Sequence, residues 1–223
     1  GGAHLMFTGL VQETGEVAAT ERIAGQGRGS VTRITIKAAK IPSELKTGDS
    51  VAVSGVCLTA LDVSAHQFSA DLAEETLRRT SLQRLKAGSL VNLELPAQAQ
   101  DRMGGHVVQG HVDGAGSIVS LQKIKFRDDW RLVIDVPAEL SRYIVPQGSV
   151  TVEGISLTVA SIDGNRVEIA IIPHTWQATN LRALRGGDPV NIEVDVLAKY
   201  AEKMAHGKTS GKLKVADLIK QGF

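Results

Sequence analysis

The chain has 223 residues, 43% of them hydrophobic, and a formal net charge of +1 at pH 7, which is enough for one large domain or two of about a hundred residues each. Near-neutral charge and 4% aromatic content exclude the basic, stacking surface of a nucleic-acid binder. No apolar run of about eighteen residues is there to span a bilayer, and the single cysteine, Cys57, excludes an intrachain disulfide, as expected of a cytoplasmic protein in a reducing compartment.

Residues 1–5, "GGAHL", lack the charged and apolar regions of a signal peptide and read as an added leader outside the fold. From there "VTRITIKA" (31–38), "DSVAVSG" (49–55), "LVNLEL" (90–95), "WRLVIDV" (130–136), "SVTVEG" (149–154) and "RVEIAII" (166–172) alternate apolar with polar residues. That period of two, bounded by Gly, Pro and Asp, predicts half-buried strands. "DGNR" (163–166) predicts a hairpin turn with Gly164 at positive φ. Short helical turns are expected at 42–48 and 137–143, each opening on Pro, and at 81–88, closed by Gly88. Many short strands with little helix predict small β-barrels, in which closure removes exposed edges. After Asp195 the period changes: Leu197, Tyr200, Ala201 and Met204 share one helical face, and Gly207 is a stop. So short a helix is marginal alone and must dock on its own barrel or on copies of itself.

The chain also repeats itself. A shift of 99 residues lays "SGVCLTAL" (54–61) over "EGISLTVA" (153–160), and "TSLQRLKAGSLVNLEL" (80–95) over "TNLRALRGGDPVNIEV" (179–194). With two more residues of gap, Gly9 meets Gly110. One register held across separated blocks marks a tandem duplication of a long unit. The boundaries follow: residues 6–97 form a first barrel, 98–104 a linker, 105–195 a second barrel, 196–206 a helix and 207–223 a tail.

Three clusters could carry chemistry. Cys57 reads by itself as an ordinary strand residue, and an unperturbed thiol is a few per cent thiolate at neutral pH. Its equivalent, however, is Ser156, a second small group able to exchange protons, so the two copies suggest related pockets with different tasks. In "GGHVVQGHVDGAG" (104–116), His106 and His111 are five apart and face opposite ways on a strand, a poor metal pair, and each also reads as a turn or surface residue. In "ADLAEETLRRT" (70–80) and "AIIPHTWQAT" (170–179), Thr76 aligns with Thr175 and Glu75 with His174, but the first stretch reads equally as a solvated charged face.

Taken in order, "MFTGLVQ", "GVCLT", "DLAEETL", "GGHVVQGHVDG", "GISLTV" and "VNIEVD" resemble the riboflavin synthases built from two lumazine-binding barrels, from Met6 to about Ala205. The resemblance implies an all-β fold of tandem, Greek-key-like barrels with a C-terminal helix. It implies a reaction in which two molecules of 6,7-dimethyl-8-ribityllumazine exchange a four-carbon unit, giving riboflavin and 5-amino-6-ribitylaminouracil, with no metal or redox cofactor. It further implies a homotrimer whose C-terminal helices bundle and whose active sites lie between the first barrel of one subunit and the second barrel of its neighbour. One reaction using two copies of one substrate in opposite roles accounts for a duplicated pocket that has diverged at Cys57 and Ser156.

Carried over by position, the first pocket comprises Gly9, Leu10, Val11, Ser50, Val56, Cys57, Leu58, Thr59 and the run Asp71, Leu72, Ala73, Glu74, Glu75, Thr76. The second comprises Gly110, His111, Val112, Gln147, Ser156, Leu157, Thr158 and the run Ile172, Pro173, His174, Thr175, Trp176. Cys57 is the candidate for proton transfer or transient addition at the acceptor ring. His111 and Ser156 are candidates for proton relay, Asp195 would orient Ser156, and Phe7 would line the first pocket. At Gln147 the chain departs from the family, which usually has a ligand-contacting lysine there. A lumazine or flavin carrier is the second reading, although "QGHVDG" and "GISLTV" are both intact. A scaffold that associates with lumazine synthase through residues 207–223 is the third.

Overall fold

In the computed structural model, residues 6–23 and 31–207 are described. The first unit runs β1 (Glu13–Ile23), β2 (Val31–Lys37), α1 (Ile41–Glu44), β3 (Ser50–Val53), β4 (Val56–Thr59), β5 (Gln67–Leu72), α2 (Glu74–Arg79), a 3-10 turn (Ser81–Arg84) and β6 (Leu90–Glu94). The second repeats it element for element: β7 (Gly114–Lys123), β8 (Trp130–Asp135), α3 (Ala138–Ser141), β9 (Ser149–Val152), β10 (Ile155–Asp163), β11 (Arg166–Ile171), α4 (Pro173–Ala178), a 3-10 turn (Asn180–Ala183) and β12 (Pro189–Val194). A final helix, α5, spans Val196–Gly207.

Both units share one antiparallel strand order, β4-β3-β6-β1-β2-β5 in the first and its equivalent in the second. The second closes fully because β10 runs nine residues, pairing first with β9 and then with β11 through the turn at Gly164, whose φ is +58°. In the first, β4 stops at Thr59 and the chain turns at Asp62, so β4 and β5 meet through one bridge, Leu61 with Ser69. Alternation sets the interior: Val167, Ile169 and Ile171 of β11 are buried, with Arg166 and Ala170 turned outward. Each barrel has its own apolar core, and a small third cluster of Phe7, Ala52 and Val108 reaches Cys57.

The helical turns expected at 42–48, 81–88 and 137–143 are shorter than read, four residues each. The charged stretch 70–80 instead contains a helix, α2, matched by α4 with Pro173 at its first turn. At the C-terminus, the Asp195 carboxylate accepts the Leu197 N–H at 2.9 Å and starts α5. That helix docks on its own barrel through polar contacts: Lys199 to Asp113 at 2.6 Å, and Glu202 to Arg142 and the Tyr143 hydroxyl. Its apolar stripe of Leu197, Tyr200 and Met204 stays about two-thirds exposed, at 65%, 60% and 68%. The tail from 208 lies outside the described residues.

Candidate active site

Two hairpins bring the chemistry together. The β3–β4 hairpin turns on Ser54 and Gly55 (φ +45° and +82°), and β9–β10 turns on Glu153 and Gly154 (φ +51° and +77°). Both central residues are left-handed, the geometry that matches strand twist in a two-residue loop. The tips abut, so close that a Cβ on Gly55 would stand 2.7 Å from the Gly154 nitrogen. Cys57 and Ser156 follow these tips by two residues on half-buried positions.

The junction is a buried polar network with near two-fold symmetry. The Asn92 amide donates to the Glu153 carbonyl, and the Asn191 amide to the Ser54 carbonyl, both at 2.8 Å. Their side-chain oxygens accept the N–H groups of Asn180 and Ser81, both at 2.7 Å. Symmetry breaks at two positions, where Ser54 and Ser81 of the first copy are Glu153 and Asn180 in the second. The Glu153 carboxylate accepts the Ser81 hydroxyl, the Asn180 amide and the Asn191 N–H. Full burial still pushes its pKa up, against those hydrogen bonds.

Two arms cross the junction in opposite senses. Phe7 and Val108 pair as an antiparallel bridge. Beyond it, the Gly9 carbonyl accepts the Ser156 N–H and the Gly110 carbonyl accepts the Cys57 N–H, both at 2.8 Å. A Cβ on Gly9 would stand 2.6 Å from the Ser156 Cβ, and one on Gly110 2.7 Å from that of Cys57, which requires glycine at both places. Each arm is tethered to its own barrel by a buried carboxylate. Glu94 accepts the Thr8 N–H and hydroxyl and the Gly9 N–H; Glu193 accepts the Gln109 N–H. The expected allocation is therefore exchanged: Gly9–Val11 lie against the second barrel and Gly110–Val112 against the first. Val11 packs on the second core and Val112 on the first.

Around Cys57, the Ser50 hydroxyl approaches the sulfur and favours its thiolate, but burial outweighs it and Glu193 adds repulsion, so the thiol is held above its ordinary pKa. Around Ser156 stands the residue that pattern reading passed over. His106 Nδ1 is 2.7 Å from the Ser156 Oγ and its Nε2 is 3.2 Å from the Thr151 Oγ1. Burial lowers its pKa, partly countered by the charge of Asp195. His111, the favoured histidine, is exposed. Asp195 acts on His106 and caps α5, and no Ser156 contact is among its hydrogen bonds. Phe7 is wholly buried, so it supports Cys57 from behind and does not line an accessible wall.

The remaining residues divide by burial. Val56, Leu58, Leu72 and Leu157 belong to the cores, whereas Leu10, Thr59, Thr158 and Ile172 are exposed. Asp71 is gripped by Arg33 through two bonds of 2.7 and 3.0 Å, which hold its carboxyl below the usual range. Ala73 stands at the N-terminal end of α2 without a side-chain capping bond; Glu74 and Glu75 on the helix are exposed, and Glu75 pairs with Arg78. The Thr76 and Thr175 carbonyls accept the hydroxyls of Thr80 and Thr179, matching bonds in the two copies. Pro173 and exposed His174 lie on α4, and Trp176 stacks on Trp130 with centroids 3.6 Å apart. Gln147 is exposed with φ +64°, its N–H bonded to the Val159 carbonyl. Among the described residues, no three His, Cys, Asp or Glu gather as metal ligands would, and no helix is long and apolar enough to cross a membrane.

Comparison with known proteins agrees with this geometry. The lumazine binding domain family matches twice, at residues 8–96 and 109–195. Riboflavin synthase of Actinobacillus pleuropneumoniae is 42% identical over 98% of this chain and all of that protein. The Mycobacterium bovis enzyme is 44% identical over 89% and 98%, and that of Bacillus subtilis 38% over 98% and 100%. A crystal structure of LumP complexed with 6,7-dimethyl-8-(1'-D-ribityl) lumazine has the same fold, with a TM-score of 0.73 and 23% identity over 85% of this chain and 99% of that one. With two matched domains and relatives similar over nearly their full length, the chain belongs to the riboflavin synthase family.

Proposed function

We propose that the chain catalyses the dismutation of two molecules of 6,7-dimethyl-8-ribityllumazine, transferring a four-carbon unit to give riboflavin and 5-amino-6-ribitylaminouracil. The observation that carries this reading is the pair of equivalent positions, Cys57 and Ser156, each beneath an arm from the opposite barrel. A reaction with two identical substrates in opposite roles needs two similar pockets with different reactive groups.

The methyl on carbon 7 of the lumazine is conjugated to an electron-poor ring, so its anion is delocalised and a modest base suffices. His106, kept neutral by burial and bonded to Ser156, suits that proton transfer in the second pocket. Cys57 serves the acceptor ring in the first, by proton transfer or transient addition. Orientation of two flat rings is worth roughly 7–11 kcal/mol of barrier, against about 3–5 kcal/mol for one acid–base group. Positioning therefore dominates, and losing a single proton-transfer residue slows turnover without abolishing it.

The working assembly is a homotrimer, with the exposed Leu197, Tyr200 and Met204 stripes of three α5 helices packed together. Each reaction then takes place between the first barrel of one subunit and the second barrel of the next.

The test is to incubate the protein with 6,7-dimethyl-8-ribityllumazine alone and follow products by chromatography. One riboflavin and one diaminouracil for every two lumazines consumed is the expected result. Binding without product would replace the enzyme by a carrier; neither binding nor turnover would overturn both.

A further inference from the structure

The two carboxylates that hold the arms are not equally satisfied. Glu94, beside the Ser156 side of the junction, accepts three donors, two of them from Thr8. The equivalent of Thr8 on the other arm is Gln109, which offers Glu193 its N–H at 2.7 Å but no hydroxyl. Glu193 is 3% exposed, and its Oε2 has no hydrogen-bond partner among the described residues. Burial raises the Glu193 carboxyl above its ordinary range, against the Gln109 N–H, and Asp113 adds to the rise. Above that raised value the oxygen is ionised, and without a donor in a dry site it keeps its field unscreened.

What that carboxylate touches leads to Cys57 in two hydrogen bonds. Glu193 holds Gln109, and the next residue, Gly110, accepts the Cys57 N–H at 2.8 Å and lies too close to Cys57 for any side chain. The charged groups facing Glu193 are Asp113 on the strand side, Lys199 on α5 and the thiol itself. Lys199 pairs with Asp113 at 2.6 Å, so its charge is only partly available to offset Glu193, and Asp113 adds repulsion.

We propose that Glu193 is a positioning residue for Cys57, acting through the Gln109–Gly110 arm and through the field of its uncompensated carboxylate. The arm fixes where the thiol stands, and the charge adds to burial in keeping it protonated until a substrate draws the proton off. Ser156, a hydroxyl that never ionises in this range, has no use for such a field, and its own carboxylate, Glu94, has three donors. The proposal rests on the reading of Cys57 as a site residue of this enzyme, but its test does not need turnover.

Cys57 is the chain's single cysteine, so alkylation by iodoacetamide reports on it alone. In the full-length protein, Glu193→Gln keeps the oxygen that holds Gln109 and removes the charge. The midpoint of alkylation rate against pH is expected to move toward acid, with about three- to tenfold faster reaction at a fixed pH below it. Glu94→Gln is expected to leave that midpoint in place. A merely structural role would raise the rate at every pH, including the plateau, without moving the midpoint. Should Glu193→Gln fold poorly, Lys199→Met on the half-exposed face of α5 removes the opposing cation and is expected to move the midpoint the other way. An unmoved midpoint in the folded variants, or an equal shift in Glu94→Gln, would overturn the proposal.

Discussion

Gly55 and Gly154 meet backbone to backbone: a Cβ on Gly154 would lie 2.6 Å from the Gly55 nitrogen, and one on Gly55 2.7 Å from the Gly154 nitrogen. Each glycine also carries a positive φ, +82° and +77°. Gly154→Ala therefore combines left-handed strain of about 1–2 kcal/mol with overpacking of about 1–3 kcal/mol against backbone that cannot rotate away. Urea unfolding is expected to show a loss of about 2–5 kcal/mol, with a fall in Tm of about 2–4 °C for each. An unchanged midpoint would mean that the tips do not bear on each other.

Glu153 makes stability depend on pH with a definite sign. Burial holds its carboxyl above the ordinary 4.5, so the folded chain binds that proton more tightly than the unfolded one. Its contribution is full below the unfolded pKa and is lost as pH rises through the folded one. Glu153→Gln retains one acceptor but turns an amide toward donors, stranding one of them at about 1–3 kcal/mol. The stability gap between wild type and variant, measured by urea unfolding across a pH series, is expected to be widest in acid and to narrow as pH rises. A gap that widens with pH would show that the network holds Glu153 as a carboxylate.

His106 is expected to shape the acid side of the rate profile. Burial lowers its pKa, so the neutral ring bonded to Ser156 persists below the ordinary 6.5 and is lost only in more acidic solution. His106→Gln is expected to slow turnover about a hundredfold and to remove that acid limb. His111→Gln, at an exposed position, is expected to preserve the limb. Reversal of these two results would return the proton-relay role to His111.

The stripe on α5 predicts an assembly change. Leu197→Glu with Tyr200→Glu places charge where a helix bundle would be dry and leaves the polar contacts of Lys199 and Glu202 untouched. Sedimentation is expected to show monomers with native circular dichroism and little turnover. A trimeric mass would place the interface elsewhere.

Much of this was legible in the residues. The shift of 99 maps β3–β4 onto β9–β10 and fixes Gly55 opposite Gly154 in the repeat, and Gly164 takes its expected turn. What pattern could not convey was contact at long separation. The exchange of arms depends on Gly9 reaching Ser156 and Gly110 reaching Cys57, far apart in sequence, while Thr8 and Gln109 reach back to carboxylates 86 and 84 residues away. His106 is invisible to periodicity because its partners, Ser156 on β10 and Thr151 on β9, lie 50 and 45 residues on. The available signal was Asn92 and Glu94 recurring as Asn191 and Glu193 on the polar face of the same strand in both copies: an amide and a charge repeated in place suggest fixed partners.

The most direct test of paired, non-equivalent pockets is complementation between two blocked chains. Thr59→Trp and Thr158→Trp fill exposed positions beside Cys57 and Ser156, so each variant is expected to be folded and inactive. Mixed, unfolded and refolded together, they should form trimers in which an open first barrel meets an open second barrel at about a quarter of the interfaces. Recovery of turnover near that fraction is the predicted result. No recovery from a mixture shown to contain hybrid trimers would contradict the account, because the two lumazines would then meet within one chain.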